Sequence, residues 1–368
     1  MYSFLLTCPL GLEALAKKDI EKQGYKLREV QDKAVYFNGE IDAIARINLW
    51  SRFGNIVYFI AGEYQNITDF DSYFDAISQI DWLKYIPRDY EILVKATSIK
   101  SELGVSSSLQ GLAKKAIVKS LVGDALLREN PTLGKIEIRI LMENNTLRVL
   151  LNTSGEGLHK RGYREMTGDA PLKENIAAAL VILSGWKFRE PLYDIFCGSG
   201  TIGIEAAMIA RNIAPGLKRK FACETWSWIP QGIFESEKKR AKEKEFSGEY
   251  KIYSTDIRKD IIELARRNAK FAGVDDCITF GVQDYTTYLR REISGWLISN
   301  PPYGLRLEEA NVPRIHQDIA KLFEQNQNLQ GGIITAHSEF ESYSQVKYKR
   351  RKLYNGGEQV YFYKKEQK

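Results

Sequence analysis

The stretch Leu192-Tyr-Asp-Ile-Phe-Cys-Gly-Ser-Gly-Thr-Ile-Gly203 decides the fold of the second half of this chain. Residues 192–196 are rich in β-favouring side chains and predict a strand. The glycines at positions 198, 200 and 203 predict a tight turn, and residues 201–210 have the composition of a buried helix. A strand, a glycine-rich turn and a helix in this order are typical of the first unit of a parallel, doubly wound sheet.

The flanking sequence continues this alternation of strands and helices. Strands are predicted at residues 251–255, 278–282 and 296–299, and helices at residues 171–184 and 259–271. A closing hairpin is predicted around Asn355-Gly-Gly357. We therefore expect an α/β fold, with a Rossmann-like sheet over residues 161–368.

The N-terminal part has a different pattern. Residues 3–7, 33–38 and 55–60 predict strands with helices between them, which indicates an α+β, ferredoxin-like subdomain over residues 1–65. A second α+β unit is predicted over residues 66–160. Its helices are predicted at residues 73–80 and 109–127, and its strands at 91–96, 135–141 and 147–151.

Composition excludes few classes of function. The chain has 368 residues, of which 44% are hydrophobic and 27% charged, so it has the composition of a globular protein. Lys and Arg number 53 and Asp and Glu number 47, which gives a net charge of +6. This mild excess permits a polyanionic partner without requiring one.

The cysteines and histidines indicate the compartment. The four cysteines lie far apart without a CxxC pair, and the three histidines form no cluster with ligand spacing. These patterns predict neither a metal site nor a disulfide framework, and they favour a reducing, cytoplasmic location. The N-terminus lacks a cationic segment before an apolar run, and no stretch approaches about 18 apolar residues. We therefore expect neither a signal peptide nor a membrane span.

The glycine loop by itself fits two kinds of cofactor. It matches the G-x-G-x-x-G pattern of dinucleotide sites, and Glu224 follows at about the position of their ribose-binding acid, roughly 20 residues on. Asp194 disfavours that interpretation, because a carboxylate beside the loop repels a pyrophosphate but attracts an ammonium group. S-adenosylmethionine carries such an ammonium and no phosphate, so we predict it as the cofactor.

Two more acids follow strands of the predicted sheet. Asp256 and Asp284 lie at or near the carboxyl ends of two strands, where open α/β sheets bind their ligands. Carboxylates there suit hydrogen bonds to ribose hydroxyls and to an adenine amino group. Each acid alone also fits a helix cap, because Asp is common before helices.

The segment Asn300-Pro-Pro-Tyr-Gly304 carries the expected chemistry. An amino group on a nucleobase or amide is a poor nucleophile, because its lone pair is delocalised. The side-chain oxygen of Asn300 and the carbonyl of Pro301 can accept its two N–H bonds and favour a more pyramidal nitrogen. Pro302 stiffens the segment, and Tyr303 can stack on the base. Since a sulfonium is a good leaving group, positioning the nitrogen does most of the work, without a metal or a strong base.

Three motifs resemble those of one known family. Asp194-Ile-Phe-Cys-Gly-Ser-Gly-Thr201, Tyr253-Ser-Thr-Asp256 and Ser299-Asn-Pro-Pro-Tyr-Gly304 are similar to those of the THUMP-domain 23S rRNA guanine-N2 methyltransferases of the RlmL/YpsC type. Gly11-Leu-Glu-Ala-Leu15 resembles the N-terminal ferredoxin-like piece of that family, and residues 155–164 and 170–175 resemble its inter-domain signature. Some members carry a second methyltransferase domain, for which this sequence has no counterpart.

The resemblance implies a fold, a cofactor and a substrate. The fold is a class I methyltransferase sheet preceded by a ferredoxin-like and THUMP RNA-binding region, and the cofactor is S-adenosylmethionine. The substrate is a guanine of 23S rRNA, free or in an assembly intermediate. Residues 66–160 would be the THUMP unit, which grips folded RNA by backbone and shape contacts.

The resemblance also implies roles for individual residues. Asp194 would hold the methionine part of the cofactor, Asp256 its ribose and Asp284 its adenine. Asp256 is favoured over Glu224 because an inserted segment precedes the ribose acid in this family. The implied catalytic residues are Asn300, Pro301, Pro302 and Tyr303. The implied cofactor-binding residues are Asp194, Phe196, Cys197, Gly198, Gly200, Thr201, Asp256, Ile257, Asp284 and Asn300.

Two basic segments are candidates for RNA contact. Lys160, Arg161 and Arg164 lie in a short basic stretch that is either a phosphate-contacting strap or only a connector between domains. Lys114 and Lys115 lie on the helix predicted at residues 109–127, whose charges also fit an ordinary solvated face.

Other functions stay open at this stage. The Asn300 segment does not separate guanine N2 from adenine N6, so an adenine-N6 nucleic-acid methyltransferase is an alternative. A ribosome-assembly factor that binds RNA without chemistry is a second alternative, and a dehydrogenase is a third. No pattern in the sequence indicates an oligomeric state.

Overall fold

The computed structural model describes residues 1–86, 89–123, 125–164, 172–302 and 312–366. Within these ranges the chain forms two seven-stranded sheets, one in the N-terminal part and one in the C-terminal part. This arrangement confirms the predicted α/β architecture with a preceding α+β region. No helix within the described ranges is long and apolar enough to cross a membrane.

The elements are numbered in chain order. The strands are β1 (Tyr2–Thr7), β2 (Lys26–Gln31), β3 (Ala34–Gly39), β4 (Ile56–Tyr64), β5 (Glu91–Ile99), β6 (Lys135–Glu143), β7 (Thr146–Asn152), β8 (Leu192–Asp194), β9 (Ile252–Asp256), β10 (Ile278–Val282), β11 (Gly295–Ser299), β12 (Leu329–Thr335), β13 (Tyr348–Asn355) and β14 (Glu358–Lys365). The helices are α1 (Glu13–Lys22), α2 (Asp42–Trp50), α3 (Phe70–Ser78), α4 (Trp82–Tyr85), α5 (Ser106–Val122), α6 (Glu174–Ser184), α7 (Thr201–Ala210), α8 (Ile233–Glu243), α9 (Lys259–Ala272) and α10 (Val312–Gln325).

The N-terminal sheet begins with a ferredoxin-like unit. Its elements run β1-α1-β2-β3-α2-β4, which is the β-α-β-β-α-β order of that motif. The strand β2 was not predicted, because Lys-Leu-Arg-Glu-Val-Gln lies at the edge of the sheet and has no buried residue. An edge strand exposed on both faces lacks the apolar alternation by which strands are recognised.

The two predicted N-terminal units share one sheet. The strand order is β2-β3-β1-β4-β7-β6-β5, and β4 pairs antiparallel with β7 from Tyr58 opposite Asn152 to Tyr64 opposite Leu147. The boundary predicted between residues 65 and 66 lies just after β4, so the strands on its two sides are hydrogen-bonded neighbours in a single sheet.

The C-terminal sheet has the order β10-β9-β8-β11-β12-β14-β13. Its first five strands are parallel, and β14 and β13 add an antiparallel edge. The strand order reverses around β8, which has β9 on one side and β11 on the other. Ligands of open α/β sheets bind outside the carboxyl ends of strands at such a reversal.

Local sequence explains most of these elements, and β12 is an informative exception. In α9 the buried residues Ile262, Ala265 and Ala269 recur at helical spacing, and Gly273 ends the helix in a left-handed conformation. Neither β12 nor α10 was predicted from the sequence. In β12 two glycines weaken the strand pattern, but a Cβ on Gly331 would collide with the carbonyl of Leu297 on β11. Close strand packing therefore requires glycine here.

A buried ion network joins the two halves of the chain. Glu205 on α7 accepts hydrogen bonds from Nε of Arg161 at 3.3 Å and from the hydroxyl of Tyr163 at 3.4 Å. Nη1 of Arg52, which follows α2, lies 3.8 Å from the same carboxylate. Asp19 on α1 accepts the backbone N–H of Arg52 at 2.6 Å, and burial raises the pKa of Asp19 to about 6.

Candidate active site

Three predicted side chains meet at the carboxyl edge of the C-terminal sheet. Asp194 ends β8, Asp256 ends β9, and Asn300 follows β11 directly. Because β8 lies between β9 and β11 in the parallel sheet, their carboxyl ends form one continuous edge. The glycine loop leads from this edge into α7.

The glycine loop has two glycines in left-handed conformations. Gly198 has φ +49° and Gly200 has φ +85°. A Cβ at Gly200 would lie 3.1 Å from Cβ of Ala265, so this glycine lets the loop pack against α9. A Cβ at Gly198 would meet no heavy atom of the described residues within 4 Å. The space above Gly198 is therefore open to a ligand.

Asp256 fixes the loop at its other side. Its Oδ2 accepts the backbone N–H of Gly198 at 3.1 Å, and its Oδ1 accepts that of Arg258 at 3.1 Å. A carboxylate oxygen has a second lone pair, so both oxygens keep capacity for further donors such as hydroxyl groups. Glu224, the acid that the dinucleotide interpretation requires, instead lies beside the N-terminal part, where the neighbouring Cys223 N–H donates to the carbonyl of Thr153.

Asp194 is a buried carboxylate that forms no ion pair with the described residues. It is 0% exposed, and its Oδ1 accepts a hydrogen bond from the hydroxyl of Ser299 at 2.6 Å. Its Oδ2 has no hydrogen-bond partner among the described residues. Burial raises the pKa of Asp194 to about 7, the carboxylate of Asp256 adds to this shift, and the bond from Ser299 opposes it. The arrangement suits a positively charged ligand group at Oδ2.

Ser299 is a site residue that the sequence analysis missed. Its hydroxyl accepts the backbone N–H of Phe196 at 3.1 Å while it donates to Asp194, and so it ties the end of β8 to the end of β11. The available signal was its position directly before Asn300, in a strand whose other residues are apolar or glycine.

Asn300 presents a second buried acceptor at this edge. Its Oδ1 is buried without a hydrogen-bond partner among the described residues. Pro301 is buried and Pro302 is half-buried, as expected for a stiff segment behind the strand end. Tyr303 lies outside the described residues, so its stacking on a base stays a prediction.

An apolar surface lies beside Asp256. Ile257 is 66% exposed and Val282 is 55% exposed, and Val282 is paired in register with Asp256. Two exposed aliphatic side chains at a ligand-binding edge suit a flat apolar ring. Val282 was not predicted.

Asp284 accepts the N–H of Thr286 at 2.8 Å as a helix cap, so the capping alternative describes its present contact.

The remaining predicted cofactor residues support the loop. The Phe196 ring lies 5.0 Å from the ring of Tyr285. The N–H of Cys197 donates to the carbonyl of Thr255 at 2.9 Å, and burial raises the pKa of the Cys197 thiol, which disfavours a reactive thiolate. Thr201 is the buried first residue of α7. The structure thus brings every described member of the predicted set to one edge.

Comparison with known proteins agrees with this geometry. Residues 161–360 match the family described as the RMKL-like methyltransferase domain, and residues 3–58 match the RlmL ferredoxin-like domain. The chain belongs to the RMKL-like methyltransferase family. This confirms the resemblance given by the motifs.

Relatives of this methyltransferase cover its whole length. It is 36% identical over 366 residues to YpsC of Bacillus subtilis strain 168, which is named as a candidate RNA methyltransferase. The alignment covers 96% of this chain and 93% of YpsC. A Listeria monocytogenes structure, named as a predicted N6-adenine-specific DNA methylase, has a TM-score of 0.90 and 34% identity over 99% of this chain and 96% of its own. The candidate methyltransferase SMU.472, solved in complex with SAH, has a TM-score of 0.88 and 35% identity over 99% of this chain and 97% of its own.

The methyltransferase has no arrangement typical of a metalloenzyme in the part of the chain that the structure describes. No group of three or more His, Cys, Asp or Glu side chains in that part is placed to hold a metal ion. All four cysteines are buried and unpaired.

The structure corrects the prediction for Arg161. This residue is 2% exposed, and its guanidinium donates to Glu205, to the carbonyl of Leu158 at 2.7 Å and to the carbonyl of Arg52 at 2.5 Å. The prediction that Arg161 contacts RNA phosphates is therefore wrong, because its side chain is enclosed and committed to internal acceptors. It joins the domains of the methyltransferase instead.

Arg164 is committed to the glycine loop. Its Nη2 donates to Oγ1 of Thr201 at 2.6 Å and to the carbonyl of Leu172 at 2.7 Å, and its Nε lies 3.3 Å from Glu174. These contacts leave little of the guanidinium for a phosphate. They brace the start of α7, so the structure favours a positioning role over the predicted RNA contact.

The three predicted lysines remain accessible. Lys160 and Lys114 pair with Glu156 and Glu129 on the surface, and Lys115 is exposed on α5. Exposed pairs of this kind are weak, so their ammonium groups stay available to stronger anions. RNA contact by these lysines stays a prediction.

Proposed function

We propose that this protein transfers a methyl group from S-adenosylmethionine to the exocyclic N2 amine of a guanine in 23S rRNA. The observation that carries the proposal is a pair of buried acceptors at one edge, Oδ2 of Asp194 and Oδ1 of Asn300, neither with a partner among the described residues. Buried polar atoms are almost always hydrogen-bonded, so two at a ligand-binding edge point to donors on the substrates. In this division of labour, residues 1–65 form the ferredoxin-like subdomain, residues 66–160 form the THUMP unit that binds RNA, and residues 161–368 carry the chemistry.

The residues at the edge fit S-adenosylmethionine. Asp194 offers an unpaired carboxylate oxygen to its ammonium, and Asp256 offers lone pairs to its ribose hydroxyls. Ile257 and Val282 offer an exposed apolar surface to its adenine. When bound, this cofactor would supply a methyl group on a positively charged sulfur, and its transfer to the amine would release the neutral thioether S-adenosylhomocysteine and one proton of the amine to solvent.

Asn300 and Pro301 would prepare the attacking nitrogen. Oδ1 of Asn300 and the carbonyl oxygen of Pro301 accept the two N–H bonds of the amine, which directs its lone pair away from the ring. The charge that develops on nitrogen during attack strengthens both bonds, so they stabilise the transition state more than the bound substrate. Tyr303 would stack on the guanine. The base must first leave its stack, at a cost of a few kcal/mol.

The test is methyl transfer from labelled S-adenosylmethionine to 23S rRNA that lacks this modification, followed by nucleoside analysis of the product. We expect the label in N2-methylguanosine. Binding of both cofactor and rRNA without any label would contradict the proposed reaction and favour a role in ribosome assembly.

A second candidate is methylation of adenine N6. The Listeria structure named as an N6-adenine-specific DNA methylase shares the full fold, and the two acceptors at Asn300 and Pro301 suit any ring-bound amine. RNA and DNA would be offered in parallel as substrates. Label in N6-methyladenosine would identify adenine N6 instead of guanine N2 as the target atom, and the proposed roles of Asp194 and Asn300 would stay the same.

A further inference from the structure

A basic cleft lies where the N-terminal sheet, the connector at residues 158–164 and the C-terminal sheet meet. It has a volume of about 930 Å³. Seven of the residues that line it are lysine or arginine and two are glutamate. The cleft therefore holds a strong excess of positive charge, in contrast to the nearly balanced chain.

Most of the arginines in the cleft are occupied by the protein. Arg161 and Arg164 are committed as described above. Arg219 donates to four backbone carbonyls of the loop at residues 154–160, and burial lowers the pKa of Arg219 to about 10. These three side chains shape the wall of the cleft and are not available to a partner.

Three lysines remain. Lys173 and Lys220 have no carboxylate partner among the described residues, and Lys160 has only the exposed pair with Glu156. Lys218 is directed elsewhere, since its Nζ lies 3.7 Å from the place that a Cβ of Gly273 would take at the end of α9. Lys160, Lys173 and Lys220 are thus the cations that the cleft offers to a ligand.

One end of the cleft adjoins the candidate active site. Arg164 in its wall donates to Thr201, the first residue after the glycine loop. The N–H of Lys173 donates to Asn355 at 3.1 Å. The hairpin at Asn355 lies beyond the carboxyl end of β12, because β14 runs antiparallel to β12 with Tyr361 opposite Thr335, the last residue of β12. The cleft therefore begins at the same edge of the sheet as Asn300.

The other end adjoins the N-terminal sheet. Ser154, Gly155 and Glu156 line it, and they follow β7 directly. A chain lying in the cleft would therefore pass from the N-terminal unit to the catalytic edge without leaving the protein surface.

We propose that this cleft binds the phosphodiester backbone of the RNA on the path to Asn300, through Lys160, Lys173 and Lys220. The inference rests on the proposed function and names the surface that it uses. Lysine is a mobile point charge that suits phosphate oxygens. Two aromatic rings line the cleft among the described residues: Phe221 is buried beneath Arg219, and the His159 imidazole is only partly exposed, so the cleft offers no broad stacking surface to a base. We therefore expect the cleft to recognise the RNA backbone and not the base sequence.

The test compares the whole protein with two triple variants. The first carries Lys160→Gln, Lys173→Gln and Lys220→Gln. The matched control carries Lys187→Gln, Lys251→Gln and Lys321→Gln, which removes the same charge from exposed lysines outside the cleft. Binding of fluorescent poly(U) and of an unmodified 23S rRNA transcript is measured over a salt series. Circular dichroism and S-adenosylmethionine binding verify that each variant is folded.

We expect the cleft variant to bind both RNAs about 10- to 100-fold more weakly than the wild type at about 0.1 M salt. The slope of log affinity against log salt should fall by about 2, because each neutralised phosphate of a single strand contributes about 0.7. The control variant should stay within about twofold of the wild type. The KM for rRNA should rise in the cleft variant while kcat changes little, because bound RNA still meets Asn300.

Several outcomes would overturn the cleft. Equal affinity of the two triple variants for RNA would contradict the proposal. A loss of affinity for 23S rRNA in the cleft variant, with unchanged affinity for poly(U), would also contradict it. Tighter binding of poly-glutamate than of poly(U) would point to an acidic protein instead. Failure of the proposed function can be told apart from failure of the cleft proposal, because the two have separate readouts. If the wild type transfers no methyl group to RNA, the proposed function fails, but the cleft variant can still bind RNA more weakly than the control variant.

Discussion

Two buried carboxylates on the C-terminal unit have opposite surroundings. Glu205 on α7 faces Arg161, Arg52 and Tyr163, all supplied by other parts of the chain. Asp194, which ends β8 just before the loop that leads into that helix, faces no cation among the described residues and keeps one oxygen unpaired. Both side chains are 0% exposed, so burial alone does not separate them.

The comparison separates a buried charge that stabilises the structure, Glu205, from a buried charge that is suited to ligand binding, Asp194. A buried carboxylate matched by protein cations holds domains together, and removing one partner leaves a charge without compensation. A buried carboxylate without a cation raises the energy of the free protein, and a cationic ligand relieves that cost.

The largest expected effect is on stability at Glu205. Arg161→Leu should lower the free energy of unfolding by about 3–5 kcal/mol, because it leaves Glu205 buried with a single distant cation. Asp194→Asn serves as the matched variant and should leave stability unchanged or raised, since it removes a buried charge that no cation of the described residues compensates. Urea unfolding measures both. A similar loss in the two variants would break the comparison.

The second effect concerns turnover at the catalytic edge. Asn300→Ala should lower kcat by about 10²- to 10³-fold, the range found when one donor or acceptor to the transition state is removed. Affinity for S-adenosylmethionine should stay within about threefold of the wild type, because Asn300 acts mainly on the target amine. Single-turnover methyl transfer and calorimetry measure the two quantities. Normal turnover would refute the mechanism.

The third effect is a pH dependence of cofactor binding. Asp194 has a pKa of about 7 in the free protein, and an ammonium ligand requires the ionised carboxylate. Affinity for S-adenosylmethionine should therefore fall as the pH drops below 7 and be roughly tenfold weaker at pH 6 than at pH 8. Asp194→Asn should bind more weakly at pH 8 and lose this dependence.

The same group has a predicted effect on stability with a defined sign. Its folded-state pKa lies above the unfolded value of about 3.9, so the folded state binds more protons between the two values. The contribution of Asp194 to the free energy of unfolding should fall as the pH rises from about 4 to 7. An unfolding series with Asp194→Asn as reference isolates it, and a difference between wild type and variant that does not change with pH would contradict the assignment.

The smallest expected effect lies between the two regions, at Arg164. Arg164→Lys cannot bridge Thr201, Leu172 and Glu174 together, so the start of α7 loses its brace. We expect a several-fold rise in KM for S-adenosylmethionine, about 1 kcal/mol, with little change in kcat. Arg211→Lys, a partly buried arginine directly after α7 that pairs with Asp276 and not with the glycine loop, is the matched control and should leave KM unchanged.

Much of the catalytic edge was predictable from short stretches of sequence. The loop at Gly198 and the segment at Asn300 depend on turn chemistry within a few residues, and the alternation of strands and helices places their ends at one edge. Strand β2 was not predicted because it has no buried residue and so no apolar alternation. Strand β12 was not predicted because its glycines weaken the strand pattern, although they allow close packing against the neighbouring strands. Ser299 was missed because its role depends on Asp194, 105 residues away.

Local sequence was enough to predict most strands of the methyltransferase sheet, the glycine loop and the Asn300 segment, because each is encoded by local spacing and backbone preference. Only the tertiary structure decided which basic residues are free. Arg161 and Lys160 are neighbours in the chain, yet one is enclosed by Glu205 and Arg52 and the other is exposed. Whether a charge is paired depends on partners distant in the chain, and only folding brings them together.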